Sequence, residues 1–130
     1  MTFSRSRTFK STELEKLFSS VDWDSAKKPD ILVKAFEKAS HVVSVRNEKN
    51  ELVGIIRSMD DDIWSANIDC LVVHRDYQNI GLGSLLMSEL MADIMHIKYI
   101  NVCPDSKKME CFYEKFGFKT INGLYMQLIN

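Results

Sequence analysis

The chain has 130 residues, of which 45% are hydrophobic and 27% charged, as is usual for one globular domain with a sizeable core. Lys and Arg number 17 against 18 Asp and Glu, so the net charge of −1 gives no broad basic surface for nucleic acid. No apolar run could span a bilayer and the N-terminus lacks an apolar h-region. We therefore expect a single cytoplasmic domain over residues 1–130, with neither a membrane nor a nucleic-acid partner.

The three cysteines, Cys70, Cys103 and Cys111, are odd in number and lack the spacing of metal-binding motifs. Two of them lie in apolar stretches of the sequence. We interpret all three as reduced core residues of a cytosolic protein, and we expect no metal site.

The N-terminal part of the sequence predicts a strand, two helices and a hairpin. Thr12-Glu13-Leu14-Glu15 matches a capping box, and apolar residues follow it at helical spacing. Pro29 stands where the first turn of a second helix belongs. These patterns predict an edge strand at residues 2–9, helices at about 11–20 and from 29 onward, and hairpin strands at 41–46 and 51–57.

The stretch of residues 67–91 predicts a strand, a loop and a helix. Cys70-Leu71-Val72-Val73 belongs to an apolar run too short for a buried helix, which indicates a strand covered on both faces. Leucines recur at helical spacing after Gly83. In between, Gln78-Asn79-Ile80-Gly81-Leu82-Gly83 places two glycines where the helix begins, which permits positive φ and close approach of a ligand. Unpaired N–H groups at the positive end of the helix dipole then form a site for an anion such as a pyrophosphate.

Two better-known phosphate-binding motifs do not match this loop. A P-loop needs Gly-Lys-Ser or Gly-Lys-Thr, but Ser84 and Leu85 follow Gly83. A dinucleotide-binding fingerprint needs a third glycine near the start of a βαβ unit. Taken alone, the two glycines also suit a tight turn that binds no ligand.

After the central helix, the sequence predicts a strand, a helix and a terminal hairpin. A short apolar run ends at Pro104, and Gly117 stands where the C-cap of the last helix belongs. Asn122-Gly123 lies between two short runs and is a strong hairpin signal. These patterns predict a strand at residues 99–103, a helix at 107–116, and strands at 118–121 and 124–128. The predicted order is βααβββαβαββ, which gives a mixed α/β sheet that is antiparallel on its N-terminal side.

Two blocks of this sequence resemble motifs of the GCN5-related N-acetyltransferase (GNAT) family, in particular its small single-domain bacterial members. Gln78, Gly81 and Gly83 after a Val-rich strand resemble the motif that holds the acetyl-CoA pyrophosphate. Residues 111–118, with the sequence Cys-Phe-Tyr-Glu-Lys-Phe-Gly-Phe, resemble the family's second block. The order of elements is also that of the GNAT fold, a mostly antiparallel sheet flanked by helices. One departure is that Ser106 and Met109 occupy places where many members have Asn and Ala, which affects side-chain contacts to the pantetheine arm.

The resemblance implies an acetyl-CoA-dependent N-acetyltransferase that acts by direct attack of the acceptor in a ternary complex. The acceptor would be a small primary amine, a protein lysine or an N-terminal amine, and a homodimer is plausible. The cofactor-binding residues that the resemblance implies are Leu71, Val72, Val73, Gln78, Asn79, Ile80, Gly81, Leu82, Gly83, Ser84, Phe112 and Tyr113. Leu71, Val72 and Val73 would bind the cofactor arm through their backbone, while their side chains are core residues.

Acetyl transfer requires a neutral amine, a polarised carbonyl and a protonated or stabilised thiolate. Tyr113 is the candidate general acid for the CoA thiolate; the alternative is an ordinary core tyrosine. Asp69 and His74 are the candidates for relaying a proton from the amine through water. Their alternatives are a polar strand edge for Asp69 and a loop histidine for His74.

Residues on the first two helices and the sheet loops are candidates to shape the acceptor pocket, as the resemblance implies. Those candidates are Trp23, Phe36, Arg57 and Trp64. The run Asp60-Asp61-Asp62 could attract a cationic amine or form only a solvated turn. The residues that could pair with the cofactor's 3′-phosphate are Arg75, Lys107 and Lys108, for which exposed surface charges are the simpler interpretation.

Two other classes of function fit the same sequence. One is a non-catalytic module that binds acetyl-CoA and reports its level to a partner. The other is a structural domain that has kept the fold without binding CoA, which the glycines and Gln78 argue against. A bulky residue at Gly83 should abolish binding in the first two classes and only perturb a helix start in the third.

Overall fold

The structure is a computed structural model that describes residues 1–121, 123 and 125–130. The strands in these residues are β1 (Thr2–Ser4), β2 (His41–Arg46), β3 (Leu52–Asp60), β4 (Ser65–Val73) and β5 (Tyr99–Val102). The α-helices are α1 (Ser11–Ser19), α2 (Pro29–Glu37), α3 (Leu82–Ile94) and α4 (Lys107–Glu114), with 3₁₀ turns at Asp24–Lys27 and Arg75–Tyr77. The predicted order of elements is confirmed through α4.

The strands form one sheet in the order β1-β2-β3-β4-β5. Neighbouring strands are antiparallel except for β4 and β5, which run parallel. β4 pairs with β5 only where Ser65 to Ile68 lie opposite Tyr99 to Val102. In the described part of the chain, residues 69–73 of β4 therefore have no β5 partner, and we call them the free edge of β4.

Helices cover both faces of the sheet. Ile55 of β3 packs in an apolar cluster with buried residues of α1 and α2, whereas its neighbour Ile56 packs with buried residues of α3. Because successive side chains of a strand point to opposite faces, β3 contributes to both clusters. This double coverage explains why the strands read as continuous apolar runs instead of alternating ones. No helix in the described residues is long and apolar enough to cross a membrane.

The start of α1 differs from the predicted capping box. The helix begins at Ser11, and the side chain of Glu13 accepts a hydrogen bond of 2.9 Å from the backbone N–H of Lys10. Glu13 also accepts two hydrogen bonds, of 2.7 and 3.2 Å, from the guanidinium of Arg46. The N-cap of α1 is therefore Lys10 and not Thr12. Glu13 bonds both to this helix end and to Arg46 of β2.

The first strand is shorter than predicted and ends at Ser4. The Ser4 hydroxyl accepts the backbone N–H of Ser6, and the Ser6 hydroxyl accepts the N–H of Thr8. Such local bonds offer the backbone an alternative to a sheet ladder. They turn the chain away from the sheet, and Phe9 is buried among the side chains of α1 and α2.

The predicted terminal hairpin does not form in the described residues. Residues 118–121 and 125–130 have no regular secondary structure there, and Asn122 and Leu124 lie outside the described residues. Gly117 adopts φ 93°, as expected of a C-cap, and Phe118 then packs against the core instead of extending. The strand prediction rested on a local turn signal, whereas a strand needs a neighbouring edge to pair with.

Candidate cofactor and catalytic site

The glycine loop (residues 78–84) joins β4 to α3. Gly81 is the N-cap of α3 and has φ 88°, a conformation that L side chains rarely adopt. A Cβ on Gly81 would meet no atom within 4 Å, whereas one on Gly83 would lie 3.7 Å from the ring of Phe112. Gly81 is therefore required by the backbone conformation, and its surroundings leave room for a ligand.

The first backbone N–H groups of α3 are free to bind an anion. Within the described residues, the N–H groups of Leu82, Gly83 and Ser84 donate to no protein acceptor. Unpaired N–H groups at the positive end of a helix dipole form a ready site for phosphate. The residues present therefore fit the pyrophosphate of acetyl-CoA that the sequence predicts there.

The loop is fixed to the strand that precedes it. The amide of Gln78 donates a 3.0 Å hydrogen bond to the carbonyl oxygen of Val73, the last residue of β4. The N–H of His74 donates to the carbonyl of Val53 on β3, and the hydroxyl of Tyr77 bonds to the side chain of Asn47. Gln78 thus shapes the loop through its side chain.

A β-bulge interrupts β4 where its free edge begins. Arg57 of β3 lies opposite Asp69, and Ile55 lies opposite Val72, so Cys70 and Leu71 share the space opposite a single residue of β3. Cys70 has φ 54°, which is uncommon for a residue with a side chain. A bulge leaves the extra residue unpaired in the ladder. On the other side of β4, where pairing with β5 stops at Ile68, the backbone groups of Cys70 and Leu71 that point away from β3 are available to a ligand.

Tyr113 on α4 is a buried tyrosine that stays protonated. Its ring packs against Phe112 and Phe118, with centroids 5.2 and 5.9 Å apart. Burial raises the pKa of its hydroxyl to about 12, and the charges of Asp105 and Asp69 add to this shift. Tyr113 is 6% exposed, in keeping with burial as the main cause of this shift. Tyr113 therefore retains a proton that it can donate.

The family model for the acetyltransferase (GNAT) domain matches residues 38–120, the part of the chain that contains the glycine loop, the bulge and Tyr113. The chain belongs to the GNAT family.

Curated relatives agree with this assignment. The chain is similar to an uncharacterized N-acetyltransferase, ycf52, of Porphyra purpurea, with 33% identity over 114 residues, 82% of this chain and 63% of that protein. It is also similar to a histone acetyltransferase of Glycine max, with 30% identity over 130 residues, 87% of this chain and 55% of that protein. The chain spans about three-fifths of the length of the first curated relatives it matches.

Solved structures confirm the predicted fold. A GNAT-family acetyltransferase of Streptococcus pneumoniae superposes with a TM-score of 0.84 at 23% identity, covering 99% of this chain and 97% of the other. Glucosamine-6-phosphate N-acetyltransferase of Arabidopsis thaliana superposes with a TM-score of 0.71 at 15% identity, covering 100% of each chain. At these identities the likeness concerns the fold alone.

In this GNAT protein, Asp69 is held in an ion pair. Arg57 donates hydrogen bonds of 2.6 and 3.0 Å to the two carboxylate oxygens of Asp69. The hydrogen bond to Asp69 is the main reason that the pKa of Arg57 is raised. Arg57 also donates to the carbonyl of Ala35 and lies over the ring of Phe36, 5.7 Å from its centroid. The carboxylate is thus fixed beside the bulge, with both oxygens engaged.

His74 lies just past the C-terminal end of β4, and one of its ring nitrogens is engaged in a hydrogen bond. Its Nδ1 accepts a 3.1 Å hydrogen bond from the backbone N–H of Asp76, so the ring proton is assigned to Nε2. Its ring borders a shallow cleft against α1 that is also lined by Thr12, Lys16 and Ser20. In this tautomer, Nε2 is a hydrogen-bond donor.

The structure brings only some of the predicted acceptor residues together. Phe36 is fully buried beneath Arg57, so it supports that side chain and cannot line a pocket. Trp23 packs against Phe18, and Trp64 packs against Tyr99 at the opposite end of β4 from the glycine loop.

The predicted acidic turn and two of the predicted phosphate-binding cations make local contacts. Asp61 caps the β3–β4 turn, and hydrogen bonds from the N–H groups of Ile63, Trp64 and Ser65 lower its pKa. Arg75 pairs with Asp22 at 2.6 Å, and Lys107 pairs with Glu110 at 3.5 Å. Lys108 is exposed.

The cysteine prediction was wrong for two of the three residues. Cys103 and Cys111 are exposed, and only Cys70 is partly buried. Apolar neighbours in the sequence did not imply burial there, because β5 and α4 turn only one side to the core. Burial raises the pKa of the Cys70 thiol to about 12, with a further contribution from Asp69. Cys70 is therefore a protonated thiol beside the bulge. Its positive φ could not be predicted from the residues around it.

Proposed function

We propose that the protein is an acetyl-CoA-dependent N-acetyltransferase that transfers an acetyl group to a primary amine by direct attack in a ternary complex. One observation carries the proposal. The unpaired N–H groups at the start of α3 and the bulge at Cys70 border the same free edge of β4. An extended ligand with an anionic end fits such an edge, since strand backbone pairs with extended chains.

The N–H groups of Leu82, Gly83 and Ser84 would bind the pyrophosphate, and Gly81 would let it approach. Backbone groups of Leu71, Val72 and Val73 would bind the pantetheine arm, and one N–H near the bulge would face the thioester oxygen. Backbone donors suit this task because they are fixed before charge develops on that oxygen. Acetyl-CoA would supply the acetyl group as a thioester with a thiolate leaving group. Phe112, in reach of Gly83, would close the far side of the site.

Tyr113 is the proposed general acid. A hydroxyl whose pKa is raised to about 12 stays protonated across the neutral range, and donation to a departing thiolate would use that proton. Asp69 influences the pKa of Tyr113, which supports a position of the two groups on the same site.

Asp69 is the proposed proton relay for the attacking amine, through water, with Arg57 fixing its orientation. About half of its side chain is exposed, so water can reach the carboxylate. His74 is the weaker candidate because its Nδ1 lone pair is already used. A cationic amine would be drawn toward Asp69 and would need to lose a proton before it attacks.

The acceptor class follows from the relatives only in general terms. The similar Glycine max protein is named a histone acetyltransferase, and the similar Arabidopsis fold is named for glucosamine-6-phosphate. Both acceptors present an amine, so we propose a primary amine of a small molecule or of a protein lysine or N-terminus.

The deciding experiment has two stages. The first is the melting temperature with and without excess acetyl-CoA, with NAD as the comparison. A ligand at about 100 times its Kd adds about 2.7 kcal/mol to the free energy of unfolding, a shift on the order of 10 °C for a domain of this size. The second stage follows release of CoA thiol with small amines and with lysine peptides. A shift without turnover on any amine would favour the non-catalytic module, and no shift at saturating acetyl-CoA would overturn the proposal.

A further inference from the structure

Two histidines and two aspartates converge at the edge of the sheet where β4 begins. Nδ1 of His41 lies 2.8 Å from Oδ2 of Asp60, and Nε2 of His96 lies 2.8 Å from Oδ1 of Asp62. One ligand atom each from His41, Asp60 and Asp62 can be chosen so that all lie within 4.8 Å of one another. We call these four residues the His–Asp cluster. Its members come from the start of β2, the end of β3 with the turn after it, and the segment after α3.

The cluster has a buried floor and an open rim. The side chain of Asp60 is 1% exposed and that of His41 is 26% exposed. His96 and Asp62 are 53% and 69% exposed. An ion could therefore enter from the side of His96 and Asp62 and reach ligands that are already desolvated.

The buried carboxylate is held by a second layer of hydrogen bonds. The hydroxyl of Ser58 donates a 2.7 Å hydrogen bond to Oδ2 of Asp60, and the N–H of Asp62 donates to its Oδ1 at 2.9 Å. The Ser40 hydroxyl bonds both the N–H and the carbonyl of Asp60, at 2.8 and 3.0 Å. Ligating carboxylates are commonly oriented by such partners. Asp60 would therefore need little rearrangement to coordinate an ion.

We propose that the His–Asp cluster binds a divalent transition-metal ion of the zinc class. Imidazole nitrogens together with carboxylate oxygens suit zinc, whereas magnesium and calcium prefer oxygen ligands alone. A tetrahedral zinc ion with ligands at about 2 Å spaces its ligand atoms by about 3.4 Å. The atoms of His41, Asp60 and Asp62, which lie within 4.8 Å of one another, therefore need shifts on the order of 1 Å. His96, which contacts this group through Asp62, would have to move further to become the fourth ligand.

Coordination replaces the hydrogen bond in each imidazole–carboxylate pair. The ring nitrogen that faces the carboxylate must carry no proton, so that proton moves to the other ring nitrogen or to water. The two carboxylates then balance the charge of the divalent ion. The adjacent Asp61 adds further negative charge at the rim, and its side chain already caps the turn.

The ion would be structural. It would join the start of β2 and the β3–β4 turn to the segment that leads into β5 at Tyr99. Asp60 lies opposite Ala66 of β4 in the sheet. Ala66 is four residues before Cys70, so the cluster and the bulge are about 13 Å apart along the strand. Metal binding should therefore be independent of the acetyl-CoA site.

The test uses a Cys103→Ser/Cys111→Ser background, because exposed thiols bind zinc on their own. Metal-free protein is titrated with zinc by calorimetry and with Co²⁺ by visible absorption, and melting temperatures are measured with each ion. We expect saturable binding of one ion, a higher melting temperature and a Co²⁺ spectrum without thiolate charge transfer.

The variants are Asp62→Asn and His96→Ala, both at the exposed rim, and Asn tolerates the positive φ of 64° at residue 62. Each should weaken zinc binding at least about tenfold, whereas the control Asp24→Asn, at an aspartate that is 97% exposed against 69% for Asp62, should not. Absence of saturable binding in the parent, or equal affinity in the parent and both variants, would overturn the proposal. The acetyl-CoA shift should persist in both variants, so a failure here is separate from a failure of the proposed enzyme activity.

Discussion

Strand β4 carries the candidate cofactor site at its C-terminal end and the His–Asp cluster beside its N-terminal end. At the C-terminal end, the essential atoms are backbone groups of one continuous stretch, from the bulge at Cys70 to the start of α3. At the other end, the essential atoms are side chains from three separate segments. A site of the first kind depends on backbone conformation, and a site of the second kind depends on how the sheet assembles.

The substitution with the largest expected effect on the cofactor site alone, at the C-terminal end of β4, is Gly81→Val. A branched side chain at φ 88° should distort the start of α3 and remove the anion site, so the melting shift with acetyl-CoA should be lost. The matched control is Gly117→Val, which has a similar φ of 93° and no atom within 4 Å of its Cβ position. Both variants should lose about 1–3 kcal/mol of stability from backbone strain.

Only Gly81→Val should lose the rise in melting temperature with acetyl-CoA, which is measured over a titration of that ligand. Zinc binding should be retained in both. An undiminished shift in Gly81→Val would show that the glycine loop is not the anion site.

The second test separates chemistry from binding at the same end of β4. Tyr113→Phe keeps the ring packing against Phe112 and removes only the hydroxyl. We expect kcat to fall by roughly 10- to 1,000-fold, within the range for acid–base groups, while the melting shift with acetyl-CoA is unchanged. Tyr125→Phe, at an exposed position, is the control and should have parental kcat.

The pH profile sharpens this test. Burial raises the pKa of Tyr113 to about 12, so its proton is retained below that value and lost as the pH rises through it. Activity should therefore show no loss of this acid between pH 8 and 10, whereas a solvent-exposed tyrosine with a pKa of about 10 would be half deprotonated at pH 10. An equal kcat for Tyr113→Phe and the parent enzyme would remove Tyr113 from the mechanism.

The same contrast explains what could be predicted from the sequence. The glycine loop and the amphipathic helix after it were predictable because Gln78, Gly81 and Gly83 act within a few residues of one another. The positive φ of Cys70 was not, because it arises from the register between β4 and β3. The predicted roles of Tyr113, Asp69 and His74, the cytoplasmic location and the homodimer stay predictions.

Side-chain pairs between distant residues could not be predicted from the sequence either, because they also depend on how the strands come together. Nothing near His41 or His96 in the sequence indicates that both face the β3–β4 turn. Arg57 was predicted only as a pocket residue, and its pairing with Asp69 follows from their opposite positions on neighbouring strands. The terminal hairpin is the opposite case, in which the sequence predicted structure that is not observed. The strong local signal at Asn122-Gly123 predicted strands, but residues 118–121 and 125–130 do not form them.

The smallest expected effect concerns Arg57, which lies between the two ends of β4. Arg57→Lys keeps the charge but cannot make both hydrogen bonds to Asp69 in the parallel geometry of a guanidinium. Because Asp69 is about half exposed, solvent screens the pair, and we expect a loss of only about 1 kcal/mol in urea unfolding. The control is Arg5→Lys, at a side chain that is 45% exposed against 17% for Arg57 and that pairs with Asp93 and Glu89; it should lose less than about 0.5 kcal/mol.

If Arg57 also orients the proton relay, kcat should fall more in Arg57→Lys than this loss of stability explains, with KM for acetyl-CoA unchanged. Asp69→Asn should lower kcat at least as much, and Arg57→Lys should then add little to it, because both changes remove the same oriented carboxylate. Additive effects of the two substitutions on kcat would mean that Arg57 acts separately from Asp69. In that case its contacts with Ala35 and Phe36 would give it a purely structural role in holding α2 against the sheet.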